Sequence, residues 1–159
     1  MSGVDKVEGW SLGGINILVE LGREDDSDMD LVVKASDIQL GFDKSSITIK
    51  EDSNAGEILH WPSIKMSNPN RRQEIYDSAK NALETAEKVE AKRIGFFTTA
   101  LEVARLPSWE VAEEIVKAVH THSQNENCID CVFLVASSPI QLSSFQFVLN
   151  NLATVIPKD

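Results

Sequence analysis

From Arg71 onward, segments of helical period alternate with short, almost wholly apolar runs, and this alternation leaves few architectures open. Between Arg71 and Glu90 the apolar positions Ile75, Ala79, Ala82, Leu83 and Ala86 recur at spacings of three and four, which predicts a helix packed along one stripe. Arg93 to Thr98 (RIGFFT) reads as a buried strand. Ser108, after Pro107, is placed as an N-cap; Glu110, Glu113 and Glu114 then lie near the positive end of the helix dipole, and Val111, Ile115, Ala118 and Val119 face inward. Asp130 to Ala136 (DCVFLVA) is a further strand. Ser138 with Pro139 opens a last helix whose stripe is Leu142, Phe145, Leu149 and Leu152. Strands this uniformly apolar are buried on both faces, so the pattern implies parallel pairing with helices covering the sheet.

The first half contributes four more strand candidates. Ile15 to Leu21 (INILVEL) and Met29 to Ala35 (MDLVVKA) flank the acidic turn GREDDSD; Ser46 to Lys50 (SITIK) alternates apolar and polar; Glu57 to Ile64 (EILHWPSI) is limited by Pro62. The fold class expected is therefore α/β, with a mixed central sheet of six strands and the three helices on its two faces. A length of 159 residues fits one domain over 1–159, with 1–12 as an N-terminal segment and 155–159 as a tail.

Composition narrows function mainly by exclusion. The N-terminus MSGVDKVEGW has neither a basic nor an apolar stretch, and no window approaches the length of a bilayer span. Cys128 and Cys131 are too close to form a disulfide framework, which points to a reducing, cytoplasmic compartment. Fifteen basic against twenty-five acidic residues give a net charge of -10, which repels a phosphate backbone, and the one basic cluster, Arg71 and Arg72, is followed at once by Glu74 and Asp77. Nucleic acid is disfavoured as a partner.

Few residues suggest chemistry directly. His120, His122, Cys128 and Cys131 have the types and spacing of a zinc set, although residues three apart on a strand face opposite sides and histidines at a helix end also satisfy free carbonyls. His60 beside Trp61 reads as a packed core pair. The acidic run Glu24, Asp25, Asp26, Asp28 and Asp30 lacks the spacing of a calcium loop and reads as a solvated turn. There is no nucleophile elbow, P-loop or dinucleotide fingerprint, and no cofactor is expected.

Ile94 to Pro107 (IGFFTTALEVARLP) matches, without a gap, the IAFPAISTGVYGYP strand and phosphate loop of the macro domain, a family of α/β/α modules that generally bind ADP-ribose and in some members hydrolyse ADP-ribosyl bonds. Met29 to Asp37 (MDLVVKASD) resembles its VDAIVNAAN, and Ile58 to Pro62 (ILHWP) its VIHTVGP. The resemblance implies a macro-domain-like fold of the three-layer α/β/α type and a ligand site at Arg23, Ala35, Asp37, Thr99, Ala100, Leu101, Glu102, Val103 and Ala104. Several of these depart from the family pattern. Arg23 replaces the aspartate of a GDI turn that receives adenine, Asp37 replaces the ribose asparagine, Glu102 replaces a glycine that lets backbone amides approach pyrophosphate, and Ala104 replaces an aromatic. Asp37 and Glu102, on neighbouring loops of that fold, could also pair. Only IQLGFDKS stands where the family has a glycine-rich loop and a helix.

These departures imply a degenerate module, not a catalyst, used in protein association or in weak recognition of a nucleotide-type ligand. The alternative is an ADP-ribose binder or ADP-ribosyl hydrolase with a rebuilt pocket. Loss of a helix would bare apolar sheet, so a homo-oligomer, most simply a dimer, is expected, with Trp10, Phe42 and Trp61 as covering residues.

Overall fold

The structure is a computed structural model and describes residues 8–35, 38–40, 47–49 and 51–156. The chain runs β1 (Glu8–Leu12), β2 (Ile15–Leu21), β3 (Leu31–Lys34), β4 (Ile38–Leu40), β5 (Ile47–Ile49), β6 (Glu57–His60), α1 (Arg71–Lys88), β7 (Arg93–Phe97), α2 (Thr99–Val103), α3 (Ser108–Ser123), β8 (Cys131–Ala136), α4 (Pro139–Asn150) and α5 (Leu152–Val155). Six strands form a mixed sheet in the order β1-β2-β8-β7-β3-β6. Only β1 runs antiparallel, joined to β2 by a tight turn. Gly13 in that turn has φ +53°, and a Cβ there would lie 2.6 Å from the carbonyl oxygen of Ser123, so both the backbone and the end of α3 demand glycine. The expected α/β class with a mixed central sheet is the one found.

The membership of the sheet differs in one place. Five of the six strand candidates enter it, but the Ser46–Lys50 candidate, seen as β5, pairs antiparallel with β4 in a separate two-stranded sheet, and β1 takes the sixth place. Alternation makes a strand without naming its partner.

The three long helices also differ from expectation, because they share one face. The connections β6-α1-β7 and β7-α3-β8 both step the same way along the sheet, and right-handed crossovers then put both helices on the same side. Ile15, Ile17, Leu31, Val33, Ile94, Phe96, Val132 and Leu134 meet Ile75, Leu83, Ile115, Val119, Phe145 and Leu149 there in one core. Each of the large side chains so buried is worth about 1.5–3 kcal/mol. The β2-β3 and β3-β6 steps go the opposite way, so their described residues 22–30 and 51–56 lie over the other face, and no helix is found among them.

That second face holds Val32, Phe97, Cys131, Phe133 and Val135, all buried. Charged side chains and loops cover it. The guanidinium groups of Arg23 and Arg93 lie 5.0 and 4.9 Å from the centre of the Phe133 ring and are bridged by Asp28, while the Lys34 ammonium lies 4.3 Å from the centre of the Phe97 ring. Gly95 leaves room on this face for Met29 and Phe97, since a Cβ would come 2.4 Å from Met29 Sδ and 2.9 Å from the Phe97 ring. The apolar sheet surface that was to drive dimerisation is therefore already covered within one chain. Trp61 is buried with its Nε1 donating to Phe97 O (2.8 Å), Trp10 is half-buried and donates to Asn150 Oδ1 (2.9 Å), and Phe42 lies outside the described residues.

The acidic turn is likewise structural. Asp26 is fully buried; it pairs with Lys34 (3.0 Å) and accepts from Ser53 Oγ (2.5 Å) and the Asn54 N–H (2.7 Å), while Asp30 accepts from the N–H groups of Lys92 and Arg93. On the helical face, Arg71 grips Glu110 with two bonds of 2.9 Å, and Arg72 reaches Glu113 and Glu114, which ties α1 to α3. Pro107, not Ser108, stands at the N-cap position of α3 and gives it no side-chain bond, and Ser108 Oγ instead meets Ser144 Oγ at 2.9 Å. Ser138 caps α4 as expected, accepting from the Gln141 N–H.

Burial disfavours the charged form of Asp26, but the bonds from Ser53 and Asn54 and the Lys34 ammonium outweigh this and hold its pKa below the ordinary carboxylate value. A folded-state pKa below the unfolded one gives stability that is present in full above the unfolded pKa and drains away as pH falls through the lowered value. Asp26→Ala leaves Lys34 buried without its anion and should cost about 3–5 kcal/mol in urea unfolding at neutral pH. Below pH 3.8 the gap to wild type should narrow, because the unfolded wild-type chain then takes up a proton at Asp26 that the folded one resists until its lowered pKa is reached.

Candidate functional site at the carboxyl edge of the sheet

Strands β2, β3, β6, β7 and β8 are parallel, so the loops that follow them open on one edge of the sheet, where ligands of open α/β sheets usually sit. Segment 99–103, read from the sequence as part of a loop, is the short helix α2. Leu101 is buried in the main core and anchors it, Thr99 is half-buried, Ala100 and Ala104 pack partly against that core, and Val103 is exposed. Arg105 ends the turn at φ +63°, an unusual conformation for a side-chain-bearing residue that costs about 1–2 kcal/mol. The bonds Arg105 N–H to Glu102 O (3.0 Å) and Leu106 N–H to Leu101 O (3.2 Å) hold it.

This turn aims Glu102 at the start of α4. Its carboxylate accepts from the Ser137 N–H (2.9 Å), from Ser138 Oγ (2.5 Å) and from the buried Thr98 Oγ1 (2.6 Å). Ser137 stands between the end of β8 and Ser138, the N-cap of α4, and a backbone N–H beside the positive end of a helix suits an oxyanion. Here the chain supplies that oxyanion itself. A second carboxylate behaves alike one loop away, where Glu51 Oε1 accepts from the Ala35 N–H at 2.7 Å. Two backbone donors at this edge are thus taken by internal anions.

Arg23, placed by sequence in the ligand site, follows β2 and pairs with Glu20 (3.0 Å) and Asp28 (2.7 Å) while lying over Phe133. Asp37 lies outside the described residues, so its pairing with Glu102 does too. His60 is exposed, unlike its buried neighbour Trp61, and borders a shallow cavity of about 280 Å³ lined also by Val33, Leu59, Pro62, Asp77 and Asn81. An edge strand buries one neighbour and releases the next, which splits the expected core pair.

The zinc-type residues are separated. His122 Nε2 lies 2.7 Å from Glu87 Oε2, and the Cys128 N–H donates to the same carboxylate. Cys131 is buried on the opposite face of the sheet from α3. Burial raises both thiol pKa values, helped at Cys128 by Glu87, so neither sulfur is poised as a thiolate. No cluster able to hold a metal is found among the described residues.

Sequence reading identified Glu102 and Ser138 separately, as a loop carboxylate and a helix cap, and missed Thr98, Ser137 and Glu51. Nothing local links positions 36 residues apart. Glu102→Ala removes the acceptor of three donors and should destabilise the fold by about 1–3 kcal/mol in urea unfolding, with Glu102→Gln recovering part of the loss through its remaining carbonyl oxygen.

Neither a protein-family model nor a curated protein sequence matches the chain. Solved structures do. An Oceanobacillus iheyensis macrodomain with ADP is similar at a TM-score of 0.74 and 14% identity, covering 94% of this chain and 97% of that one. A glycine-to-valine mutant of the same macrodomain with ADPR gives 0.69 and 16%, covering 91% and 97%. The macro domain of ganglioside induced differentiation associated protein 2 gives 0.62 and 13%, covering 98% and 96%. Sequence identity this low carries the architecture and nothing finer, and by that measure the chain has the macrodomain fold.

Proposed function

We propose that the chain is a degenerate macrodomain-fold module, non-catalytic, that serves in protein association or in weak recognition of a nucleotide-type ligand. The carrying observation is Glu102, whose carboxylate takes the Ser137 N–H and the hydroxyls of Thr98 and Ser138. A pyrophosphate needs such donors free and no competing anion beside them. Two like charges about 4 Å apart repel by about 4 kcal/mol at an effective dielectric of about 20. That is about the difference between micromolar and millimolar binding. The macrodomain structures with ADP and ADPR support the ligand class, and the two free cysteines favour a reducing, cytoplasmic setting. No described helix is long and apolar enough to cross a membrane.

Titration calorimetry with ADP-ribose, with AMP as control, tests the reading. Wild type should show millimolar or no binding. Glu102→Gly and Glu102→Ala, checked for folding by circular dichroism, should gain at least tenfold. Saturable low-micromolar binding by wild type, selective for ADP-ribose, would promote the reading of a rebuilt ADP-ribose pocket instead.

A further inference from the structure

On the outer side of the helical layer, α3 and α4 leave a shallow cavity of about 290 Å³ lined by Trp109, Ile140, Ser143, Ser144, Phe147 and Val148. Trp109 is 53% exposed, Ile140 68% and Phe147 62%. Helix α4 carries no charged residue; none occurs between Asp130 and Lys158, in a chain that is one quarter charged. The solvent face of a surface helix is ordinarily polar, as that of α1 is with Asp77, Lys80, Glu84 and Lys88. On α4, Ile140 and Phe147 instead stand seven residues apart, along one side of the helix. Charge depletion around exposed aromatic residues marks the centre of an interface.

We infer that this face is where two copies of the chain meet across a two-fold axis. The inference rests on the association half of the function proposed above and names its partner. A two-fold contact requires one patch to offer both projection and recess, since each copy must fill the other. The cavity is lined both by the large, 62% exposed Phe147 and by the small Ser143 and Ser144, so the patch offers bulk and room side by side and can be its own complement. Charge selects the same face: at a net charge of -10 two copies repel through their acidic surfaces, whereas the one carboxylate at this cavity, Glu113, is already paired with Arg72.

Light scattering and sedimentation velocity on the full chain, from about 1 to 200 µM, should show a dimer that dissociates on dilution, as micromolar association does. Phe147→Glu and Ile140→Glu place like charges across the axis and should each raise the dissociation constant at least a hundredfold. Met66→Glu, at an exposed apolar residue outside the cavity, should leave it unchanged. Circular dichroism confirms that each variant is folded. A wild type that stays monomeric throughout, a dimer that survives both α4 variants, or one lost equally in Met66→Glu overturns the assignment. The ADP-ribose titration separates the two readings: a monomer that ignores ADP-ribose sinks this surface alone, and a dimer that binds it tightly sinks the pocket reading alone.

Discussion

The parallel pairing of β8 with both β2 and β7 organises the molecule. Parallel neighbours need long connections, and the handedness of those connections decides on which side of the sheet each segment lies. Two leftward steps in the strand order place α1 and α3 on one face, and α4 follows β8 onto the same face. The rightward steps send residues 22–30 and 51–56 over the other face. The division into a helical layer and a loop-covered layer follows from strand order before any side chain is considered.

Covering an apolar sheet without a helix calls for a different chemistry. Here cations lie on aromatic rings, Arg23 and Arg93 on Phe133 and Lys34 on Phe97, and carboxylates from the acidic turn hold them in place. The charged ends themselves lie over the rings and stay paired with Asp26 and Asp28. An acidic turn that composition reads as solvated is in this way the outer layer of the fold.

The same economy appears at the carboxyl edge. A helix start and a strand end leave N–H groups that must be satisfied, and in this chain Glu102 and Glu51 satisfy two of them from within. An edge arranged in that way holds its loops without a bound anion. The uncharged face of α4, by contrast, leaves Ile140 and Phe147 exposed.

Much of this was legible in the sequence because periodicity is local. The stripe Ile75, Ala79, Ala82, Leu83, Ala86 is the buried face of α1, the apolar runs at 93–97 and 131–136 are central strands, and Ser138 with Pro139 starts α4. The α/β class followed from that order, and the resemblance to the macro domain from the motifs at 29–37, 58–62 and 94–107. What only the tertiary structure decided depends on partners distant in sequence: that Glu102 meets Thr98, Ser137 and Ser138, that Asp26 is buried against Lys34, that β1 rather than β5 completes the sheet, and that His60 is exposed while Trp61 is not. A sequence records which side chains could form an ion pair or a strand; the strand order and the connection hands decide which of them meet.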